Sequence, residues 1–82
     1  MQTGTVTLGA ITQAGGRANA SVVFETAFPD TSYKVVVGAT SDTWRGIFVQ
    51  SGSKSTTGFT IISQCIYTDS STPTVRWVAW SD

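Results

Sequence analysis

The side chains that could do chemistry lie in two short loops of this 82-residue sequence. Residues 42–45 read DTWR: the indole offers a flat apolar face that suits the C–H face of a sugar ring, and the arginine offers several donors in a fixed fork. Residues 67–69 read YTD and open a hydroxyl-rich loop whose carboxylate could accept hydrogen bonds from a polyol. This pattern favours a carbohydrate site, with the candidate ligand-binding residues Asp42, Trp44, Arg45, Tyr67 and Asp69.

Each loop also has an ordinary structural interpretation, and the sequence leaves the choice open. Trp44 can fold back as a lid on the core while Arg45 pairs with a carboxylate. Residues 67–72 can form an Asp/Ser turn, in which side-chain oxygens bond the backbone. If 47–49 and 59–66 are antiparallel neighbours joined through Gly52, the two loops should open at the same end of the fold.

The sequence offers little for catalysis or for metal binding. It has no histidine, which excludes a Ser-His-Asp triad, and one cysteine with scattered carboxylates does not make a zinc site. Cys65 lies among isoleucines and is interpreted as a buried structural thiol. A glycosidase needs two carboxylates across a cleft, and the spacing of the acidic residues singles out no pair. We therefore expect no enzymatic activity, no catalytic residue, no cofactor and no metal site.

Charge and hydropathy exclude two further classes of partner. The formal net charge is zero and only 12% of the residues are charged, so the basic stripe of a nucleic-acid-binding protein is missing. No apolar run approaches the roughly 20 residues that a membrane-spanning helix needs. We expect neither nucleic-acid binding nor membrane insertion.

Six runs of alternating or β-branched residues, separated by Gly, Pro, Asp and Ser clusters, predict β-strands. Helix signals are nearly absent, since the one candidate, 13–20, contains Gly15 and Gly16 and is better interpreted as a loop. The pattern predicts one domain over 1–82, an all-β antiparallel sandwich or small barrel of six strands. The predicted strands cover 5–10, 20–25, 33–40, 46–51, 59–67 and 75–80.

Several of these strands are apolar on both faces, although a sandwich needs only one apolar face per strand. Val36, Ile62 and Val78 lie on the second face. A chain this small with one cysteine has no disulfide to support it, so association of subunits is the simplest source of extra stability. We therefore predict that subunits associate through this second face; the alternative is that these residues are scattered, exposed apolar side chains.

Parity along the strands also predicts which aromatic residues are buried. We expect Phe24, Phe28, Phe59 and Trp77 in the core, with Pro29 turning the chain after the second phenylalanine. Trp80 has the opposite parity to Trp77 and should pack at an interface or at the end of the sandwich. Arg76 lies on the same face as Trp80 and could pair across subunits with Glu25 or an aspartate. Arg17 follows two glycines and should be solvated in a flexible loop.

Three motifs in order carry a resemblance to a known family. They are a Phe-x-x-x-Phe-Pro segment leading into a valine run (24–37), a Thr-Gly-Phe strand opener (57–59) and a closing Trp-Val-Ala strand (77–79). The chain from about residue 20 to 82 resembles the C-terminal tip domains of phage tail fibres and is similar to the H-type lectin family. Residues 1–19 precede this part as a leading strand and a Gly-rich loop.

The resemblance implies a six-stranded antiparallel sandwich that assembles as a parallel trimer. It also implies a non-enzymatic receptor-binding tip at the distal end of a virion tail fibre, which recognises polysaccharide or another glycan on the host surface. A structural trimerisation cap of a fibre protein and a free-standing H-type-like lectin are the alternatives. The resemblance implies the lectin fold more strongly than the lectin binding site. Residues 66–69 (IYTD) occupy the place of the lectins' Trp-His pair, and the position of the lectins' arginine aligns near Gln50.

Overall fold

The computed structural model describes residues 1–40, 43 and 45–81, and within this part the regular structure is entirely β. Six strands form two three-stranded antiparallel sheets, in the orders β1-β6-β3 and β2-β5-β4. This confirms the predicted all-β, six-stranded, sandwich-like fold. The strands are β1 Gln2–Thr7, β2 Arg17–Val23, β3 Lys34–Ala39, β4 Gly46–Val49, β5 Gly58–Gln64 and β6 Thr74–Trp80.

The first strand is displaced from its predicted position, because it covers Gln2–Thr7 and not 5–10. Its register with β6 places Thr7 opposite Thr74, so the next pair would be Leu8 with Pro73. Leu8 donates its N–H to the Pro73 carbonyl at 2.9 Å, but proline has no N–H to return the bond. Pro73, which immediately precedes β6, therefore ends β1, and the alternating pattern of β1 alone does not reveal it.

The second strand begins earlier than predicted, at Arg17. Gly15 has φ of 78° and turns the chain, and its N–H donates to the Cys65 carbonyl at 2.9 Å. These contacts extend the pairing of β2 with β5 back to the glycines. The predicted flexible loop around Arg17 is thus wrong, although the Arg17 side chain is exposed, as expected.

The core lies between the sheets and contains all four predicted residues. Phe24, Phe28, Phe59 and Trp77 are 3–9% exposed, which confirms their assignment. Trp80 lies on the outer face of β6 and is half-buried there, again as its parity predicts. The remaining members of the buried cluster are Leu8, Val22, Tyr33, Ile61, Val75 and Ala79.

One end of the sandwich, which we call the aromatic end, is closed by residues 24–33 and 50–57. Phe24 packs edge-on against Phe28 and Tyr33, with ring centroids 5.0 and 5.2 Å apart, and Phe28 stacks on Tyr33 at 4.7 Å. The Tyr33 hydroxyl lies 2.8 Å from the Ser55 carbonyl and 2.9 Å from that of Gly58. The two phenylalanines that bracket residues 25–27 thus form part of one aromatic plug.

The Thr-Gly-Phe motif requires glycine at its second position for a steric reason. A Cβ atom at Gly58 would overlap the carbonyl oxygen of Val22 on the neighbouring strand, and this backbone atom cannot move aside. Any other residue here would separate β2 from β5. The opposite end of the sandwich, which we call the polar end, is formed by residues 8–16, 43, 45 and 65–73.

Candidate functional site

The polar end brings together the described parts of the two candidate loops. Gly46, at the start of β4, pairs with Gln64, at the end of β5, so Arg45 and residues 65–69 emerge side by side. Arg45 Nε lies 2.8 Å from Asp69 Oδ2. The prediction that the two loops share one end of the sandwich is confirmed for these residues. Asp42 and Trp44, the other candidates of the first loop, lie outside the described residues.

The Arg45 side chain is buried, and its guanidinium group is bonded in three directions. Nε donates to Asp69, Nη1 donates to Ser63 Oγ at 3.2 Å, and Nη2 donates to the Ser71 carbonyl at 2.7 Å. Ser63 is itself fully buried and donates to the Ala18 carbonyl at 2.9 Å. The fork of Arg45 therefore links β5 to the loop that follows it, which corresponds to the structural alternative for this arginine.

The Asp69 carboxylate has local partners in addition to Arg45. Its Oδ1 accepts hydrogen bonds from the Ser71 hydroxyl at 2.7 Å and from the Ser71 N–H at 3.0 Å. These bonds, first that of the Ser71 hydroxyl and then that of Arg45, lower the pKa of Asp69 from 3.8 to about 2. The Asp69 carboxylate therefore stays ionised, and able to pair with Arg45, down to a lower pH than an ordinary aspartate would.

Between these contacts lies an exposed segment, residues 66–68, which we call the loop tip. Cys65 on one side is bonded to Gly15 and Gly16, and Asp69 on the other exchanges two backbone hydrogen bonds with Ile11, of 2.8 and 2.9 Å. The side chains of Ile66 and Tyr67 are 75% and 63% exposed. A rigid base therefore presents two apolar side chains to solvent.

At the loop tip, the predicted end of the fifth strand is wrong, and one surface residue must be added to the predicted site. The strand predicted over 59–67 ends at Gln64, so Ile66 and Tyr67 do not belong to it. Among the predicted site residues that the structure describes, Tyr67 is the one whose side chain is exposed. Ile66, which the sequence predicts to lie within a strand, is an additional surface residue. The signal that was available is the Asp-Ser-Ser run that starts at Asp69, because such a turn shortens the strand before it.

The exposed side chains of the loop tip can make both apolar contacts and hydrogen bonds. A phenol combines an apolar ring with a hydroxyl that both donates and accepts, and Ile66 beside it enlarges the apolar surface. Within the described residues no three His, Cys, Asp or Glu side chains come together as metal ligands. Cys65 is 3% exposed, which agrees with its interpretation as a buried thiol.

Comparison with protein-family models, with curated proteins and with solved structures finds no match to this chain. In the described part of the chain, no helix has the length and hydropathy required to cross a membrane.

Proposed function

We propose that this chain is the non-enzymatic receptor-binding tip of a tail fibre, which recognises a carbohydrate of the host cell surface. The observation that carries the proposal is the loop tip, where Tyr67 and Ile66 are exposed on a base fixed from both sides. Soluble domains usually bury such residues or scatter them, and neighbouring exposed apolar side chains on a rigid loop are typical of a binding surface. The motif resemblance to fibre tips supplies the class of partner.

In this proposal the Tyr67 ring packs on the C–H face of a sugar and its hydroxyl bonds a ring hydroxyl. Tyrosine suits the role because it offers a large contact area with few rotatable bonds. Arg45 and Asp69 act as positioning residues: their bonds to each other, to Ser63 and to Ser71 order the loop before the ligand arrives. Binding then costs less conformational entropy. Asp42 and Trp44 remain predicted contacts.

We also propose that three copies assemble, with the outer face of the β1-β6-β3 sheet as an interface. Val36 is 58% exposed and lies directly opposite Val78, while Trp80 lies opposite Lys34 in the next row of the same face. Arg76 belongs to this face and could pair with Glu25 of a neighbouring copy. Three weak sites that engage one polymer gain avidity without new contacts.

A bacterial surface-glycan array tests the proposal with three variants. We expect Tyr67→Ala and Ile66→Ala each to weaken binding about tenfold, which corresponds to about 1.4 kcal/mol. Val23→Ala is the matched control, since Val23 is 79% exposed but lies at the aromatic end. Light scattering on each variant should give three times the mass of the 8.7 kDa chain.

Two results would decide against a receptor-binding tip. If the trimer forms but neither the parent nor its variants bind any glycan, the structural trimerisation cap is the better function. If the parent binds and both loop-tip variants bind equally well, recognition lies elsewhere on the molecule.

A further inference from the structure

A concave surface lies at the aromatic end, on the far side of the molecule from the loop tip. It is a cavity of about 460 Å³ between the β4–β5 turn and the connection that precedes β3. Four of its six lining residues have polar side chains, and these include a cation but no carboxylate. The lining residues are Thr31, Val49, Gln50, Ser51, Gly52 and Lys54.

The ammonium group of Lys54 is held in place from within the protein. Its Nζ donates to the Tyr33 carbonyl at 2.9 Å and lies 5.1 Å from the centroid of the Tyr33 ring. An ammonium has three N–H donors, and this hydrogen bond uses one of them. A lysine fixed by a carbonyl and an aromatic ring loses less conformational entropy when it binds an anion than a mobile lysine does.

The turn beside Lys54 has a fixed shape. The Ser53 N–H donates to the Gln50 carbonyl at 3.1 Å, and Gly52 has φ of 77°, a conformation that only glycine adopts at little cost. Gln50 and Ser51 of this turn line the cavity together with Thr31, which belongs to the connection before β3. Uncharged groups that can bond hydroxyls therefore surround one fixed positive charge.

Arg45 at the polar end and Lys54 at the aromatic end differ in whether their positive charge is already paired with a carboxylate. Arg45 is neutralised by Asp69 at 2.8 Å. Lys54 makes no ion pair of that kind among the described residues, and none of the residues that line its cavity is acidic. The electrostatic preference of the cavity is thus for an anion, and the number of hydroxyl-bonding groups favours an anion carried on a polyol.

We propose that this cavity is a second saccharide site, specific for an acidic sugar of the uronic acid class. The sugar carboxylate bonds Lys54 Nζ, its ring hydroxyls bond Thr31, Gln50 and Ser51, and its apolar face rests on Val49. The site is separate from the loop tip and does not depend on it. A polymer that contains both neutral and acidic units could engage both ends of the domain.

Nuclear magnetic resonance titration of the purified ¹⁵N-labelled protein tests this directly, without cells. Glucuronate should shift the amide signals of 31 and 50–54 with saturation, whereas glucose, the matched neutral sugar, should shift them little. Inorganic phosphate is the third probe and separates a sugar site from a site for any anion. Because the interaction is exposed, we expect 0.5 M NaCl to weaken the binding of glucuronate.

Three variants give the controls. Lys54→Gln should weaken glucuronate binding roughly fivefold, the upper range of an exposed ion pair, and Lys54→Arg should retain binding. Arg17→Gln makes the same change of charge at the polar end and should have no effect. Equal shifts from glucose and glucuronate, tighter binding of phosphate than of glucuronate, or an unchanged affinity in Lys54→Gln would each overturn the proposal. None of these results bears on the glycan array with the Tyr67 variants.

Discussion

The two ends of this sandwich are closed by different chemistry. At the aromatic end, Phe24, Phe28 and Tyr33 pack ring on ring, and one hydroxyl satisfies the backbone beneath them. At the polar end, Arg45 and Asp69 bind each other and the surrounding backbone. An apolar plug tolerates small errors of position because dispersion and hydrophobic burial have little directionality. A hydrogen-bonded closure needs every partner in place, since an unpaired buried donor or acceptor is costly.

The two ends therefore differ in what they support: the aromatic end supports the core, and the polar end supports an exposed loop. The aromatic end contributes rings to the central core, because Phe24 also contacts Phe59 and Trp77 at 5.7 and 5.6 Å. The polar end contributes order to the loop tip. We therefore expect substitutions at the aromatic end to lower the free energy of unfolding most. Substitutions at the polar end should lower both the free energy of unfolding and the proposed glycan binding.

The largest effect should come from Phe24→Ala. Phe24 is 6% exposed and packs against four other rings, so its truncation should lower the free energy of unfolding by roughly 3–5 kcal/mol. Urea denaturation followed by tryptophan fluorescence measures this. Phe48→Ala is the control, because Phe48 is 45% exposed on the outer face of β4. Similar losses in both variants would mean that the plug does not support the core.

An intermediate effect is expected from Arg45→Met, which keeps the apolar stem but removes the donors for Asp69, Ser63 and Ser71. Bonds to a charged group of this kind contribute roughly 1.5–3 kcal/mol. The variant should also lose glycan binding, whereas Phe48→Ala should keep it. A stable Arg45→Met protein with parental binding would contradict the positioning role.

The same ion pair predicts sensitivity to acid. The pKa of Asp69 is about 2 in the folded protein and 3.8 ordinarily, so the ionised carboxylate is favoured by folding. Its contribution is complete above about pH 4 and is lost as the pH falls towards 2. Urea midpoints at pH 7, 4, 3 and 2 should show a smaller acid loss in Asp69→Asn than in the parent. Asp30→Asn, at the aromatic end, should retain the parental acid loss; the idea fails if the two variants behave alike.

The smallest effect should come from Tyr33→Phe, which keeps the ring and removes the hydroxyl. One hydrogen bond to a backbone carbonyl contributes about 1 kcal/mol. Burial also raises the pKa of Tyr33 above 10.0, so its neutral form is favoured by folding, and its contribution is present below pH 10 and lost above it. Denaturation at pH 8 and 11 should show a smaller alkaline loss in Tyr33→Phe than in Tyr67→Phe, where the ring is exposed. Equal losses would place the alkaline transition elsewhere.

Strand parity was readable from the sequence because side-chain alternation is a local property. Trp77 and Trp80 fell on opposite faces as predicted, and all four expected core residues are buried. What could not be read were features set by a partner far along the chain. Pro73, just before β6, ends β1. The sequence allowed Arg45 to be either an exposed ligand or a buried partner, and only the positions of Asp69 and Ser71 around it decide between them.

The pairing of β6 with both β1 and β3 has a consequence for how the chain folds. Gln2 must find Ala79, whereas β4 and β5 are joined by residues 50–57 alone and can pair early. Closing so long a loop costs conformational entropy before any stabilising contact forms. Proteins dominated by non-local β pairing therefore fold slowly, in about milliseconds to seconds. The β2-β5-β4 sheet can form once residue 64 has left the ribosome. The valine-rich strand β3 must wait for β6, and until then its unpaired edge and apolar side chains are open to aggregation.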